Sequence, residues 1–60
     1  MPVVIVEMWE GRTIEQKKEL VKGISAAFEK IGTPPSAVHI ILKDNPKHNW
    51  AIGDKLASES

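Results

Sequence analysis

The stretch that decides the fold is residues 1–17, MPVVIVEMWEGRTIEQK, which has the pattern of a strand, a turn and a helix start. The β-branched run at its beginning favours a strand over residues 3–9 that is covered on both faces. Gly11 lies in the turn that follows. Thr13 and Gln16 then have the spacing of a capping box, in which two side chains satisfy free N–H groups at a helix start.

Beyond the cap, apolar residues recur at helical spacing and predict one helix of about 19 residues. Gly32 is typical of the position after a helix, and Pro34 and Pro35 prevent the helix from continuing. Gly23, inside the helix, suggests close packing against a neighbour. The predicted apolar stripe consists of Ile14, Leu20, Val21, Ile24, Ala27, Phe28 and Ile31.

A second strand is predicted over residues 38–43, ended by the Asp44-Asn45-Pro46 sequence. A helix of the predicted length spans ~28 Å, and a seven-residue strand spans ~23 Å. The helix therefore reaches back over the sheet, and the two strands form a parallel, right-handed β-α-β unit of the α+β class. Residues 47–53 are predicted to form a short hairpin or loop, and the tail after Leu56 to be frayed.

The length and composition of the chain predict a single domain, residues 1–60, that associates with partner subunits. A chain of this size buries only about 60% of its unfolded surface. Without cysteine it has neither disulfides nor thiolate metal ligands. His39 and His48 lack the spacing of a metal site, so no metal or other cofactor is expected. One helix on two strands also leaves a sheet edge and a sheet face that a second copy would cover.

The charge balance and the short apolar runs exclude several functions. A formal net charge of zero gives no electrostatic footprint for nucleic acid or for an anionic membrane surface. The apolar runs are too short for a signal peptide or a membrane span. We therefore expect a cytoplasmic protein that does not bind nucleic acid or membranes.

Pro2 and Arg12 are the first two candidate functional residues. Proline fits a strand start, where no N–H is needed, and this purely structural role is one interpretation. The other is that removal of Met1 leaves a secondary amine. Apolar surroundings and a nearby cation would lower the pKa of this amine. Arg12, the only arginine, could grip a substrate carboxylate at two points or simply pair with Glu10 or Glu15.

Trp9, Trp50 and His39 are the remaining candidates. Trp50 lies outside any periodic run, in a polar segment, where a large aromatic side chain either seals a subunit interface or lines a pocket. His39 lies among apolar strand residues, where an interior or interface histidine is the usual case and a catalytic one the alternative.

Several motifs occur together: a proline after the first methionine, EGRT at 10–13, EQK at 15–17 and IG at 52–53. This combination resembles the 4-oxalocrotonate tautomerase family, and the resemblance extends from Pro2 to about Ala57. It implies β-α-β subunits that pair into a four-stranded sheet and assemble as a homohexamer, a trimer of dimers. It also implies an isomerase that interconverts enol and keto forms of a small unsaturated 2-hydroxy or 2-oxo acid.

Residue roles follow from the resemblance by position. Pro2, freed of Met1, is implied to be the general base and Arg12 to bind the remote carboxylate of the substrate. Trp50 matches a phenylalanine that makes the pocket apolar, and Trp9 lies near the pocket. His39 stands where the family has an arginine from a neighbouring subunit that polarises the 2-oxo end of the substrate. Ala37 stands where the family often has serine.

The replacement of that arginine leaves two alternatives open. Histidine is shorter and cannot form the bidentate fork of arginine, so the preferred substrate could shift from diacids to monoacids. The other reading is a non-catalytic binding or assembly member, or a heteromer in which a sister chain supplies the missing arginine.

Overall fold

The computed structural model describes residues 1–59 as one helix on a parallel strand pair, followed by a small hairpin. The parallel pair is β1 with β2, and the antiparallel hairpin is β3 with β4. This arrangement confirms the predicted β-α-β topology and a C-terminal hairpin, but the hairpin pairs residues 51–52 with 55–56 and so extends beyond the predicted range of 47–53. The elements are β1 (Val3–Trp9), α1 (Ile14–Glu29), β2 (His39–Asn45), β3 (Ala51–Ile52) and β4 (Lys55–Leu56), with short 3₁₀ turns at Pro35–Ala37, Lys47–Asn49 and Ala57–Glu59.

The register of the parallel pair runs from Val3 opposite His39 to Trp9 opposite Asn45. Beyond the last pair, the Glu10 N–H donates to the carbonyl of Asn45 at 2.9 Å. The second strand was predicted to end at residue 43, but it continues for two more residues to Asn45, because β1 pairs with it as far as Trp9.

The start of β2 is one residue later than expected. The N–H of Val38 donates to the carbonyl of Pro35 at 3.2 Å, so it belongs to the preceding 3₁₀ turn and not to the strand. The next N–H, from His39, donates to the carbonyl of Pro2 at 3.0 Å. This bond ties the beginning of β2 directly to the residue that precedes β1.

The helix begins at the predicted capping box. The Gln16 N–H donates to Thr13 Oγ1 at 3.1 Å, and the Thr13 N–H donates to Gln16 Oε1 at 2.9 Å. Both side chains therefore satisfy backbone groups that the first helical turn leaves free.

A Schellman turn closes the helix. The Thr33 N–H donates to the Phe28 carbonyl and the Gly32 N–H to the Glu29 carbonyl, both at 3.1 Å. Gly32 has φ +93°, as this turn requires. The helix has sixteen residues, fewer than predicted, because the closing turn takes up Lys30 and Ile31.

One face of the sheet packs under α1. The sheet residues on this face, with Met8 only 8% exposed, are buried or half-buried. The helix covers them with the middle of the predicted stripe only, since Ile14 and Ile31 are 72% and 76% exposed and Ala27 is also exposed. The buried or half-buried apolar residues of these elements are Val4, Val6, Met8, Ile40 and Leu42 in the sheet and Leu20, Val21, Ile24 and Phe28 in the helix.

The other face of the sheet is open in the subunit. Val3, Ile5 and Ile41 are 58%, 54% and 45% exposed, and the register places them on one side of the sheet. The β-branched run of β1 predicted a strand covered on both faces, yet the single chain covers only one. We call Val3, Ile5 and Ile41 the open-face patch.

The segment after β4 is ordered against the rest of the chain, so the expectation of a frayed tail is wrong for residues 57–59. Ala57 is buried, and its N–H donates to the carbonyl of Trp50 at 2.7 Å. The Leu56 N–H donates to Glu59 Oε2 at 2.6 Å. Ser60 lies outside the described residues.

The hairpin turn depends on Gly53, which has φ +66°. In a two-residue turn with positive φ only at its first position, type II′ geometry favours glycine there. No helix within residues 1–59 combines the length and the apolar character needed to cross a membrane.

Substitution by alanine is expected to have opposite effects on stability at Gly32, in the turn after the helix, and at Gly23, inside the helix. Gly32→Ala places a Cβ at positive φ and lowers the free energy of unfolding by about 1–2 kcal/mol. Gly23→Ala raises it by about 1 kcal/mol, because a Cβ there meets no described atom within 4 Å. Urea unfolding at one fixed subunit concentration measures both. A stability loss in Gly23→Ala would mean that another chain packs against this glycine, as the sequence suggested; the described subunit provides no such neighbour.

Candidate active site

The candidate residues lie at two opposite ends of the sheet. Pro2 and His39 are at the amino ends of the paired strands, whereas Trp9 ends β1. Arg12 and Trp50 contact Trp9 and so lie at the far end. Because a seven-residue strand spans ~23 Å, one subunit does not bring Pro2 to Arg12. We call these groups the proline end and the tryptophan end.

At the proline end, Pro2 is half-buried and Met1 is 89% exposed. While Met1 is attached, the nitrogen of Pro2 is an amide whose lone pair is delocalised into the Met1 carbonyl, so it is not basic. Removal of Met1 converts this nitrogen into a secondary amine on a rigid ring. The His39 side chain is exposed and shares the open face with Val3, its partner in the register.

At the tryptophan end, the two indole rings form an edge-to-face pair. The centroids of Trp9 and Trp50 are 5.7 Å apart, with 75° between the ring planes. The backbone of Trp50 is held on both sides, since its N–H donates to the Lys47 carbonyl at 3.2 Å and its carbonyl accepts from Ala57. The structure therefore brings together the two tryptophans that the sequence singled out.

Arg12 does not form the carboxylate pairs considered from the sequence. Its Nη1 donates to the Trp9 carbonyl at 3.2 Å. Glu15 is instead 3.8 Å from Lys18, and within residues 1–59 no ion pair joins Arg12 to Glu10 or to Glu15. The remaining guanidinium donors are available for an anion.

Lys47 was not among the sequence candidates. Its Nζ lies 4.9 Å from the centroid of the Trp9 ring, a cation–π contact. The only sequence signal was a basic residue three positions before Trp50. Since Trp9 comes from the distant strand β1, local spacing does not reveal the contact.

The neighbouring lysines are paired with carboxylates. Lys17 Nζ lies 2.6 Å from Asp44 Oδ2 and connects the first turns of α1 to the end of β2. Lys43 Nζ lies 3.9 Å from Glu7 Oε2 on the open face. Asn45 Nδ2 also donates to Glu7 Oε1, at 2.9 Å.

A groove on the described chain lies away from both ends. It runs between α1 and the edge strand β2 and contains none of the candidate residues. No group of three or more His, Asp or Glu side chains in residues 1–59 could hold a metal ion. The groove residues are Val21, Lys22, Ser25, Ala26, Glu29 and Ile40.

The small β-α-β fold with its C-terminal hairpin is the one found in solved homologues of 4-oxalocrotonate tautomerase. The family model described as "Tautomerase enzyme" matches residues 2–59. The chain belongs to this tautomerase family.

Individual relatives agree with the family match. The chain is 48% identical over 51 residues to a "Probable tautomerase" of Streptococcus pneumoniae, covering 83% of this chain and 85% of that protein. It is 38% identical over 60 residues to the 2-hydroxymuconate tautomerase of Comamonas testosteroni, covering 98% and 95%.

Among solved structures, the fold is similar to the heterohexameric 4-oxalocrotonate tautomerase of Chloroflexus aurantiacus. The TM-score is 0.89 at 33% identity, and the match covers 98% of this chain and 97% of that one. The predicted resemblance and the β-α-β fold are thereby confirmed, while the roles of the individual site residues stay predictions.

The indole pair is expected to show energetic coupling. Trp9→Ala, Trp50→Ala and the double variant form a cycle whose coupling energy is about 0.5–1.5 kcal/mol, as for other edge-to-face pairs. Urea unfolding at constant subunit concentration measures it. A control cycle between Trp9 and the exposed Ile31 should give none, and equal results in the two cycles would contradict the contact.

Proposed function

We propose that this protein is a cofactor-independent tautomerase that acts on a small unsaturated 2-hydroxy or 2-oxo acid, as a single domain over residues 1–60. Pro2, freed of Met1, is its general base. The observation that carries the proposal is the proline end: a half-buried Pro2 held beside β2 and preceded by an exposed Met1. The similarity to a 2-hydroxymuconate tautomerase supports the substrate class.

The proposed reaction moves one proton between oxygen and carbon. The free amine of Pro2 takes the proton of the enol hydroxyl, and the electron pair of that bond forms the carbonyl. The electrons of the enol double bond shift to carbon, which takes the proton back from the resulting ammonium. The proline ring fixes the direction of the nitrogen without a flexible side chain.

In the intermediate, negative charge is shared between the oxygen and the carbon chain. Donors or cations near that charge lower the barrier. His39, which stands where the family has arginine, is proposed to face the 2-oxo end of the substrate. Arg12 is proposed to hold the remote carboxylate, with Trp50 and Trp9 lining the apolar part of the pocket.

We further propose that each site is shared between subunits. Pro2 of one chain and Arg12 of the same chain are separated by the length of the sheet, roughly 23 Å for seven residues. That distance is too long for one small acid to contact both. The proline end of one chain therefore works with the tryptophan end of a neighbour, which requires an oligomer; we propose a homohexamer built from dimers.

The exposed apolar surface supports this self-association. The open-face patch of Val3, Ile5 and Ile41 is continuous with His39 on one side of the sheet. A second copy that covered it would remove three β-branched side chains from water.

A heteromeric alternative is supported by one observation, the histidine at position 39. A sister chain with arginine at this position would supply the bidentate guanidinium that His39 lacks. The similar Chloroflexus aurantiacus protein is a heterohexamer. Activity of the purified single chain would exclude the need for such a partner.

The proline base is tested by intact mass and by Pro2→Ala. We expect a mass short by one methionine and ultraviolet-monitored ketonisation of 2-hydroxymuconate. Pro2→Ala should lower kcat by at least about a hundredfold, the usual contribution of a general base. The same polypeptide with Met1 retained is the matched control. Its activity should fall at least as far, because the Pro2 nitrogen is then an amide. Full activity in either protein would disprove the assignment.

Mixing distinguishes a shared site from one within a subunit. Arg12→Ala and Pro2→Ala chains, unfolded together and refolded as mixed oligomers, should regain activity, since some sites combine the intact Pro2 of one chain with the intact Arg12 of another. No recovery in mixed oligomers would mean that both residues must come from one chain.

The open-face patch is tested by Ile5→Lys. A lysine in the middle of the patch should shift the protein to smaller species in sedimentation velocity, because burial of an unpaired charge is costly. Ile5→Val keeps the apolar character and should leave the distribution unchanged. An unaltered oligomer in Ile5→Lys would mean that this face is not an interface.

A further inference from the structure

Two cationic side chains contact Trp9, one at its backbone carbonyl and one at its indole ring. The Arg12 guanidinium donates to its carbonyl at 3.2 Å, and the Lys47 ammonium lies 4.9 Å from its ring centroid. Trp50 meets the same ring edge to face. Two positive charges therefore contact one residue of the indole pair, Trp9.

Neither of these cations is neutralised inside the described chain. The ion pairs found in residues 1–59 join Lys17 to Asp44, Lys18 to Glu15 and Lys43 to Glu7, and involve neither Arg12 nor Lys47. The lysines on α1 and the sheet around this end thus have carboxylates, while the two cations beside Trp9 have none. This arrangement suits an anion supplied from outside.

The position of Lys47 is set by the backbone. It begins the 3₁₀ turn Lys47–Asn49 directly after Pro46, whose ring restricts the chain. The Asn49 N–H donates to the Pro46 carbonyl at 2.9 Å, and the Trp50 N–H donates to the Lys47 carbonyl at 3.2 Å. The turn that positions Trp50 therefore also positions Lys47.

We propose that Lys47 is a specificity-determining residue that binds, together with Arg12, the remote carboxylate of an unsaturated dicarboxylic acid; this inference rests on the proposed function. Arginine supplies a planar fork and lysine a mobile point charge with three donors. The pair selects acids that carry a second carboxylate.

The charge distribution at the tryptophan end supports a diacid. The tryptophan end has one cation more than Arg12 alone would supply. A diacid gains from both cations there, whereas a monoacid with an apolar tail would leave them without a partner.

The test uses two six-carbon dienoic acids that differ at one end. trans,trans-Muconate has a carboxylate where sorbate has a methyl group, and neither carries the 2-hydroxyl needed for turnover. Calorimetric titration of the oligomer lacking Met1 should give tighter binding of muconate. Lys47→Gln should weaken muconate binding about tenfold, a typical loss for one charge-assisted contact, and leave sorbate binding unchanged.

Two variants control for general effects of charge. Lys30→Gln removes the same charge at the far end of α1 and should change neither affinity, while Lys47→Arg should retain most of the preference for muconate. Thermal unfolding of Lys47→Gln checks that the fold is intact. An unchanged muconate affinity, or an equal loss for both acids, would overturn the proposal.

Binding separates this inference from the proposed function. If the protein discriminates muconate through Lys47 but does not ketonise 2-hydroxymuconate, the carboxylate site stands and the tautomerase assignment fails. If Pro2-dependent turnover is present and Lys47→Gln lowers kcat/KM equally for 2-hydroxymuconate and for a mono-acid enol such as phenylenolpyruvate, the tautomerase stands and the role of Lys47 fails.

Discussion

The parallel pairing of β1 with β2 is the constraint on which the rest of the structure depends. A parallel pair needs a crossover, and α1 supplies it, closed at one end by Thr13 and at the other by Gly32. Parallel strands also place their amino ends together, so Pro2 meets His39. The same geometry sends Arg12 and Trp50 to the other end. The parallel topology therefore places the candidate site residues at two separate ends of the subunit.

The shortness of the chain has two consequences that reinforce each other. One helix covers one face of two strands, which leaves Val3, Ile5 and Ile41 exposed on the other. Within residues 1–59, no other element covers that face or connects the two ends of the sheet. Association with another copy would supply a cover for the patch and a partner for each half of the site, so stability and activity share one requirement.

Local features and the parallel pairing of the two strands were predictable from the sequence, but side-chain contacts between distant segments were not. The capping box at Thr13 and the glycine at Gly32 follow from backbone groups within a few residues. Periodicity gave the direction of the apolar stripe but not its extent, because Ile14 and Ile31 extend past the sheet and stay exposed. The docking of Ala57 and the contact of Lys47 with Trp9 join segments whose approach only the folded chain determines.

The charge of this protein shows why composition excludes some ligands and not others. A net charge of zero argues against binding of a polyanion, because such a ligand interacts with the electrostatic field of a whole surface. A small anion interacts mainly with charged groups within several ångströms, because solvent and salt screen the more distant charges. Asp44 and Glu7 are already paired with lysines, whereas Glu10, which follows Trp9, has no ion pair within residues 1–59. Its single negative charge offsets only one of the two cations beside Trp9, Arg12 and Lys47. What remains beside Trp9 is a local surplus of positive charge in a neutral chain, and the proposed preference for dicarboxylic acids depends on that surplus.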